Sequence, residues 1–279
     1  MLRRFVTGTA IATSLALALT GCLGDTKEKA GEARDAIKLT AAQVLGKTAQ
    51  KTGQIDTFTT DITVDSQLQG AAMKMHMVAR TRLRPEVAMS METDAMTVAG
   101  QTIPASEIRL IGSDMYMKNP ALEASNGGKP WGRISLSGLG GAGGLNVEQM
   151  LEQAKQQSPA EQTKMFTASK NVREVGIETV EGVRTRHFTG TVPVQEALGQ
   201  LDAEQRKALE ETYRQMGTSE IGFDLWVGDD DLPRKVLAKV QTGPGTVITT
   251  AIYRDYGKPV DVVAPPAAET GDLKMPGMN

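Results

Sequence analysis

The chain of 279 residues has a single cysteine, Cys22, and only two histidines, His76 and His187. One cysteine allows no internal disulfide. Two histidines and one thiol cannot assemble a usual zinc site. Aromatic residues make up 4 % of the chain, and no basic patch with interleaved aromatics occurs, so a nucleic-acid role has no support. Catalytic signatures are missing too. There is no Gly-x-Ser-x-Gly elbow and no His-Glu-x-x-His. The glycine-rich run Ser137–Gly144 lacks the Gly-Lys-Ser/Thr ending of a phosphate loop and reads as a flexible connection. Asp229-Asp230-Asp231 lacks the glycine and glutamate spacing of a calcium loop, and fits a turn between strands. The chain therefore reads as a non-enzyme with no cofactor and no metal. Long hydrophobic runs are also wanting. The apolar stretch from Phe5 to Leu19 falls short of the ~20 residues that a membrane-crossing helix needs.

What that short stretch does have is informative. Arg3 and Arg4 precede it, and Leu19-Thr20-Gly21-Cys22 closes it. A basic start, an apolar run and small residues before a cut site make a secretory signal. With the lone cysteine just after the cut, the pattern resembles a bacterial lipobox. That resemblance implies cleavage after Gly21 and a diacylglyceryl thioether, with further acylation such as palmitate, on Cys22; the alternative is an ordinary signal peptide followed by a free thiol. Two or three acyl chains hold a protein at a membrane far better than one. The expected site is the extracytoplasmic face of the cell membrane. Removing residues 1–21 leaves 258, with 29 basic against 33 acidic side chains once Arg3 and Arg4 are gone. Neither sign dominates, and the length is ample for a sizeable core.

After Cys22 the order of elements is readable from period. Asp25 with Glu28 reads as a helix-capping signal. Ile37, Ala41, Val44, Leu45 and Thr48 recur at helical spacing up to Thr52-Gly53. The period then changes to two. Phe58, Ile62 and Val64 lead the first alternating segment, Met73, Met75 and Met77 the second, and Val87, Met89 and Met91 the third. Three consecutive alternating segments predict an antiparallel sheet with one wet face. Further strands are expected around 96–103, 108–118, 172–180, 183–192, 221–227, 234–241 and 247–256. Helices are expected from Asn146 through Ala154, from Pro159 to Phe166, and over 194–216, the last with Leu198, Leu201, Leu209 and Tyr213 as its apolar face. His76, between Lys74 and Arg80, reads as a surface residue, and His187 as structural. Arg80, Arg82 and Arg84 form a basic stripe, either a solvated strand face or a contact for anionic head groups. The tail is expected to be loose.

Several segments resemble one family. They are the lipobox Leu19–Cys22, the opening helix, the hairpin around Glu181–Phe188, the strand–turn–strand unit Asp224–Val236, and the closing strand Tyr253–Val260. Together and in this order they resemble the LppX/LprG-type lipoproteins of actinobacteria. The resemblance implies an α+β fold: a strongly curved antiparallel sheet, a half-barrel, wrapped around helices, with an N-terminal amphipathic helix. It also implies a lipid-sized cavity, because known members carry or present lipids or lipoglycans. The expected organisation is a signal peptide over 1–21, the lipidated cysteine and a short tether over 22–34, one carrier-like domain over 35–262, and the loose tail over 263–279.

The methionines are the sequence's clue to a ligand. Methionine is flexible and polarisable and suits surfaces that accommodate variable apolar shapes. Phe58, Ile62, Val64, Met73, Met75, Met77, Val87, Met89 and Met91 are the expected lining for an acyl chain. The same residues would also serve a plain, filled sheet–helix core. Ser137–Gly144 and the helices after it would be a lid. The expected partners are a lipid or glycolipid ligand and the membrane itself, with no nucleic acid. The alternative function is a non-enzymatic envelope sensor or scaffold with the same fold and no ligand.

Overall fold

The computed structural model describes residues 39–68, 70–98, 100–136 and 158–273. The chain divides into two units between Lys38 and Leu39, and every described residue belongs to the second. Cys22, the signal peptide, the Asp25 capping signal, Ile37, the loop Ser137–Gly144 and the helix expected after Asn146 all lie outside the described residues.

Helix α1 spans Ala41–Thr52. It starts where it does because Thr40 and Gln43 form a capping box: the Thr40 hydroxyl accepts from the Gln43 N–H, and the Gln43 side chain reaches back to the Thr40 N–H. The core-packed helix thus opens at Thr40, later than the sequence reading placed it. Val44, Leu45, Thr48, Ala49 and Thr52 make its buried face at three- and four-residue spacing.

The period-two segments become strands: β1 Thr57–Leu68, β2 Ala71–Arg82 and β3 Ala88–Thr93. A small separate ribbon follows, β4 Met96–Val98 with β5 Gln101–Ile103. Then come β6 Ser106–Ile111, β7 Asp114–Lys118 and β8 Trp131–Ser135. Helix α2, Pro159–Phe166, opens on Ser158 with proline in its first turn. The second half holds β9 Arg173–Val180, β10 Val183–Pro193, α3 Val194–Leu198, α4 Ala203–Met216, β11 Glu220–Gly228, β12 Pro233–Thr242, β13 Gly245–Arg254 and a short β14, Thr270–Asp272.

Twelve of these strands form one curved, unclosed sheet in the order β14-β8-β7-β6-β3-β2-β1-β13-β12-β11-β10-β9. From β1 the chain steps outward to β8. It then crosses to the far edge at β9 and steps back to β13. The two halves join where the first long strand meets the last: β1 pairs antiparallel with β13 from Thr59–Arg254 to Leu68–Gly245. All ladders are antiparallel except β14 against β8. The half-barrel expected from the resemblance is the fold observed.

Register makes the inner face continuous, because directly opposed residues project to the same side. One row runs Phe188, Leu225, Val236, Ala251, Ile62, Met77 and Thr93 across seven strands. At its β10–β13 end the helices cover it. Leu225 and Phe188 are fully buried there with Val44, Leu45, Phe166, Leu198 and Leu201. Burying such a side chain stabilises the fold by about 1.5–3 kcal/mol relative to leaving it exposed. Phe166 of α2 stacks on Phe223 of β11 with ring centroids 4.3 Å apart and planes 8° apart. The Tyr253 hydroxyl donates to Gln162 Oε1 at 2.8 Å, a second pin on α2.

Two features differ from expectation. The segment read as one helix over 194–216 is two, α3 and α4. Asp202 and Gln205 form a second capping box that starts α4, which leaves Leu201 in the link between the helices. The tail is not loose over 263–273. Val260 and Val262 bury against Ala88, Arg109 Nη1 donates to the Val263 carbonyl at 2.9 Å, Lys129 donates to the Ala268 carbonyl, and Thr270–Asp272 add a parallel strand to β8. Few apolar residues suffice there because the backbone pairs with an edge strand. Residues 274–279 lie outside the described residues.

Candidate functional site

The nine residues expected to line a ligand site all fall on the inner face or its margin. Ile62 opposes Met77, Val64 opposes Met75, and Phe58 opposes Thr81, which in turn opposes Met89. Met91 sits beside Ala79 on the same side, between β2 and β6. They divide into three groups. Phe58 and Ile62 belong to the helix-covered core, where Phe58 meets Tyr253 edge-on at 6.5 Å. Val87 and Met89 belong to a second cluster with Leu110, Ile134 and Leu136, which Met115, Met117 and Leu273 flank. Val64, Met73, Met75, Met77 and Met91 pack against neither cluster among the described residues, and each is only half-buried.

A strip of four methionines and a valine thus lies between two packed cores. Along β2, Met73 to Ala79 spans about 20 Å at the usual strand rise. Ligand sites are mostly concave and apolar with few polar groups, and the inner face of this sheet offers that surface. On the same face, Ser66 opposes Met73; it is buried, and its hydroxyl makes no hydrogen bond.

The outer face is organised differently. Both histidines sit there, and each is held between two carboxylates. His76 Nδ1 lies 2.8 Å from Asp94 Oδ2, and its Nε2 lies 3.0 Å from Asp61 Oδ1. The bond to Asp94, then the one to Asp61, raises its pKa above the ordinary histidine value. His187 Nδ1 lies 2.8 Å from Glu178, and its Nε2 lies 2.8 Å from Asp224. Its ring stacks on Trp226 at 4.2 Å, and Lys235 covers the Trp226 ring at 4.3 Å. Trp226 Nε1 donates to Glu178 Oε2 at 2.8 Å, which together with His187 holds the Glu178 carboxyl below its usual range. This cluster ties β9, β10, β11 and β12 together, a structural role as read for His187. No signal short of strand register announces it.

The acidic turn is also settled by partners. Asp229 pairs with Arg184, Asp230 with Arg234 and Asp231 with Lys47, and Asp231 takes the left-handed conformation that the turn requires. No group of three or more His, Cys, Asp or Glu residues could hold a metal ion among the described residues. In the basic stripe, Arg80 pairs with Glu92 at 2.6 Å, Arg84 pairs with Asp56, and Arg82 Nε donates to the Glu86 carbonyl at 3.3 Å. Two of its three charges, Arg80 and Arg84, are answered by carboxylates on a solvated strand face. No helix among the described residues is long and apolar enough to cross a membrane.

No protein-family model matches the chain. Among solved structures, LprF from Mycobacterium bovis superposes with a TM-score of 0.53 over 81 % of this chain and 96 % of LprF, at 15 % identity. The chain has the LprF fold. The resemblance to actinobacterial lipoproteins read from the sequence therefore holds at the level of fold. Two Streptomyces proteins are similar in sequence. An uncharacterized 31.2 kDa protein of Streptomyces griseus is 35 % identical over 166 residues, 58 % of this chain and 54 % of that protein. A Streptomyces coelicolor protein named "Putative lipoprotein SCO4650" is 31 % identical over 151 residues, 53 % of this chain and 44 % of that protein. The chain spans about half the length of these curated relatives.

Proposed function

We propose that this chain is a lipoprotein, anchored through Cys22 on the extracytoplasmic face of the cell membrane, that binds the acyl part of a lipid or lipoglycan on the inner face of its sheet for transport or presentation. Catalysis plays no part. The observation that carries the reading is the half-buried strip Val64, Met73, Met75, Met77 and Met91 between two packed cores. Apolar surface in that position has little to gain from water and much from a chain laid over it. Each CH₂ transferred contributes about 0.8 kcal/mol, so an acyl chain of ordinary length binds firmly without any polar contact. The LprF fold and the name of the Streptomyces coelicolor relative support the lipoprotein part.

Met75→Glu tests it. A carboxylate placed in the middle of the strip must be desolvated for a chain to bind. Met75 is only half-buried, so the fold should tolerate the change. The expected outcome is a folded protein that purifies without lipid. Unchanged lipid content in a folded variant would remove the strip from the site. A second reading, an envelope sensor or scaffold with a filled core, is favoured by the dense packing of α1–α4 on the β10–β13 half of the same face.

A further inference from the structure

Two rungs of the inner face carry the methionine strip past the end of the helix-covered core. In one, the register sets Val240 beside Val247, Val247 beside Ser66 and Ser66 beside Met73. In the next, Ala238, Thr249, Val64 and Met75 line up the same way. Ser66 and Thr249 are the two polar side chains on these rungs, and neither rung carries a charge. The two hydroxyls differ in one respect. Thr249 is half-buried, so water can satisfy it. Ser66 is 4 % exposed, and its hydroxyl has no hydrogen-bond partner among the described residues. The side chains around it, Val64, Leu68, Met73 and Val247, are all only half-buried. Serine is the shortest of the five, so its hydroxyl lies on the floor of a notch between taller apolar neighbours. A buried donor left unbonded costs free energy that an alanine in its place would not. Met73, one wall of the notch, is unbranched and flexible enough to swing aside for a ligand.

We infer that the Ser66 hydroxyl donates a hydrogen bond to the carbonyl oxygen of an ester- or amide-linked acyl chain lying on the methionine strip. The inference rests on the lipid-carrier reading and narrows its ligand class. Apolar sites fix the orientation of a ligand through a small number of placed polar groups, and Ser66 is the buried one here. A neutral carbonyl is the partner that suits it. The carboxylate of a free fatty acid would bring a charge onto two rungs that hold no cation to answer it. A bare hydrocarbon would leave the hydroxyl as it is. The position also orients the ligand. Ser66 lies two residues before the end of β1, and the turn beyond it has Gly70 and Ala71 exposed. The linkage therefore sits near the β1–β2 turn, the head group leaves past that turn, and the tail runs over Met75 and Met77 towards Met91.

The test uses the chain from residue 23 onward and two probes that differ only in their carbonyls: dipalmitoyl phosphatidylcholine and its dihexadecyl ether analogue. Each is titrated and followed by native mass spectrometry. The ester is expected to bind about tenfold tighter than the ether, a difference of about 1.4 kcal/mol. In Ser66→Ala that ratio should fall to about one through loss of ester affinity, with ether binding no weaker than in the wild type. The melting temperature of Ser66→Ala should be unchanged or raised, because the variant removes an unbonded buried hydroxyl. Should that variant not fold, Ser66→Cys keeps the shape with a weak donor, and its ratio should fall below that of the wild type. Thr249→Val, which removes the neighbouring hydroxyl, should leave the ratio as it is. A ratio near one in the wild type with both lipids bound overturns the Ser66 contact and leaves the carrier reading standing. So does a tenfold ratio that survives in folded Ser66→Ala, or one that collapses in Thr249→Val instead. Failure of both lipids to bind the wild type overturns the contact and the carrier reading together.

Discussion

Phe166→Ala is the most demanding test of how the helices hold the sheet. Phe166 is 2 % exposed and stacks face to face on Phe223 with centroids 4.3 Å apart. Helix α2 has only eight residues, too few to persist without packing. Its hold on the sheet comes from this ring, from buried Ala160 and Thr163, and from Gln162 accepting from Tyr253. Truncating a buried phenylalanine costs about 3–5 kcal/mol through lost transfer and the cavity left behind. Of that, about 0.5–1.5 kcal/mol belongs to the ring pair beyond its area. The whole domain is expected to hold about 5–15 kcal/mol, so the variant should fold but with much of its margin gone. The assay is urea unfolding of the wild type, Phe166→Ala, Phe223→Leu and the double variant. The expected result is a loss of about 3–5 kcal/mol for Phe166→Ala and a coupling of about 1 kcal/mol with Phe223. A loss below about 1 kcal/mol with no coupling would mean that the ring is not seated on Phe223.

Other outcomes follow from the same geometry. His76 has its pKa raised by Asp94 and Asp61, so the stability it gives is fully present below the unfolded histidine pKa and is lost as pH rises through the folded value. Against His76→Gln, the wild-type melting temperature should therefore gain more at pH 5 than at pH 9; a gap that stays constant across that range would contradict this. Gly132 has no room for a side chain, because a Cβ there runs into Leu273. Gly132→Ala should lift β14 from β8 and expose residues 263–273 to limited proteolysis, and unchanged protection would show that the tail docks by other contacts. Trp226→Phe removes the N–H that Glu178 accepts, so amide exchange should quicken in edge strand β9 before any other strand. Uniform exchange would remove this cluster as the pin of that edge.

Much of the architecture was legible because period reports directly on which side of an element is buried. Val44, Leu45 and Thr48 sit at helical spacing and are buried together, and the alternation around Met73–Met77 and Val87–Met91 places those residues on one face. Strand β8 was missed because Trp131-Gly132-Arg133-Ile134-Ser135 is short and holds a glycine where β14 and Leu273 come close. Strand β14 was missed because its stability comes from pairing with an edge, and Thr270-Gly271-Asp272 carries no apolar pattern of its own. The methionine strip was readable as a set of residues but not as a surface. Only the β1–β13 pairing shows that Met75 shares its face with Phe188 and Leu225, more than a hundred residues along the chain. The carboxylate pairs around both histidines depend on cross-strand register too, which no single segment encodes.

The central claim is that the inner face takes up a lipid. Native mass spectrometry of the chain from residue 23 onward, purified from its natural host or a related one with solvent extraction of bound material, tests it most directly. The account expects a lipid at one-to-one stoichiometry that is lost in Met75→Glu. A clean unliganded mass, with no uptake of added phospholipid or glycolipid, would contradict it and leave a scaffold or sensor built on the same fold.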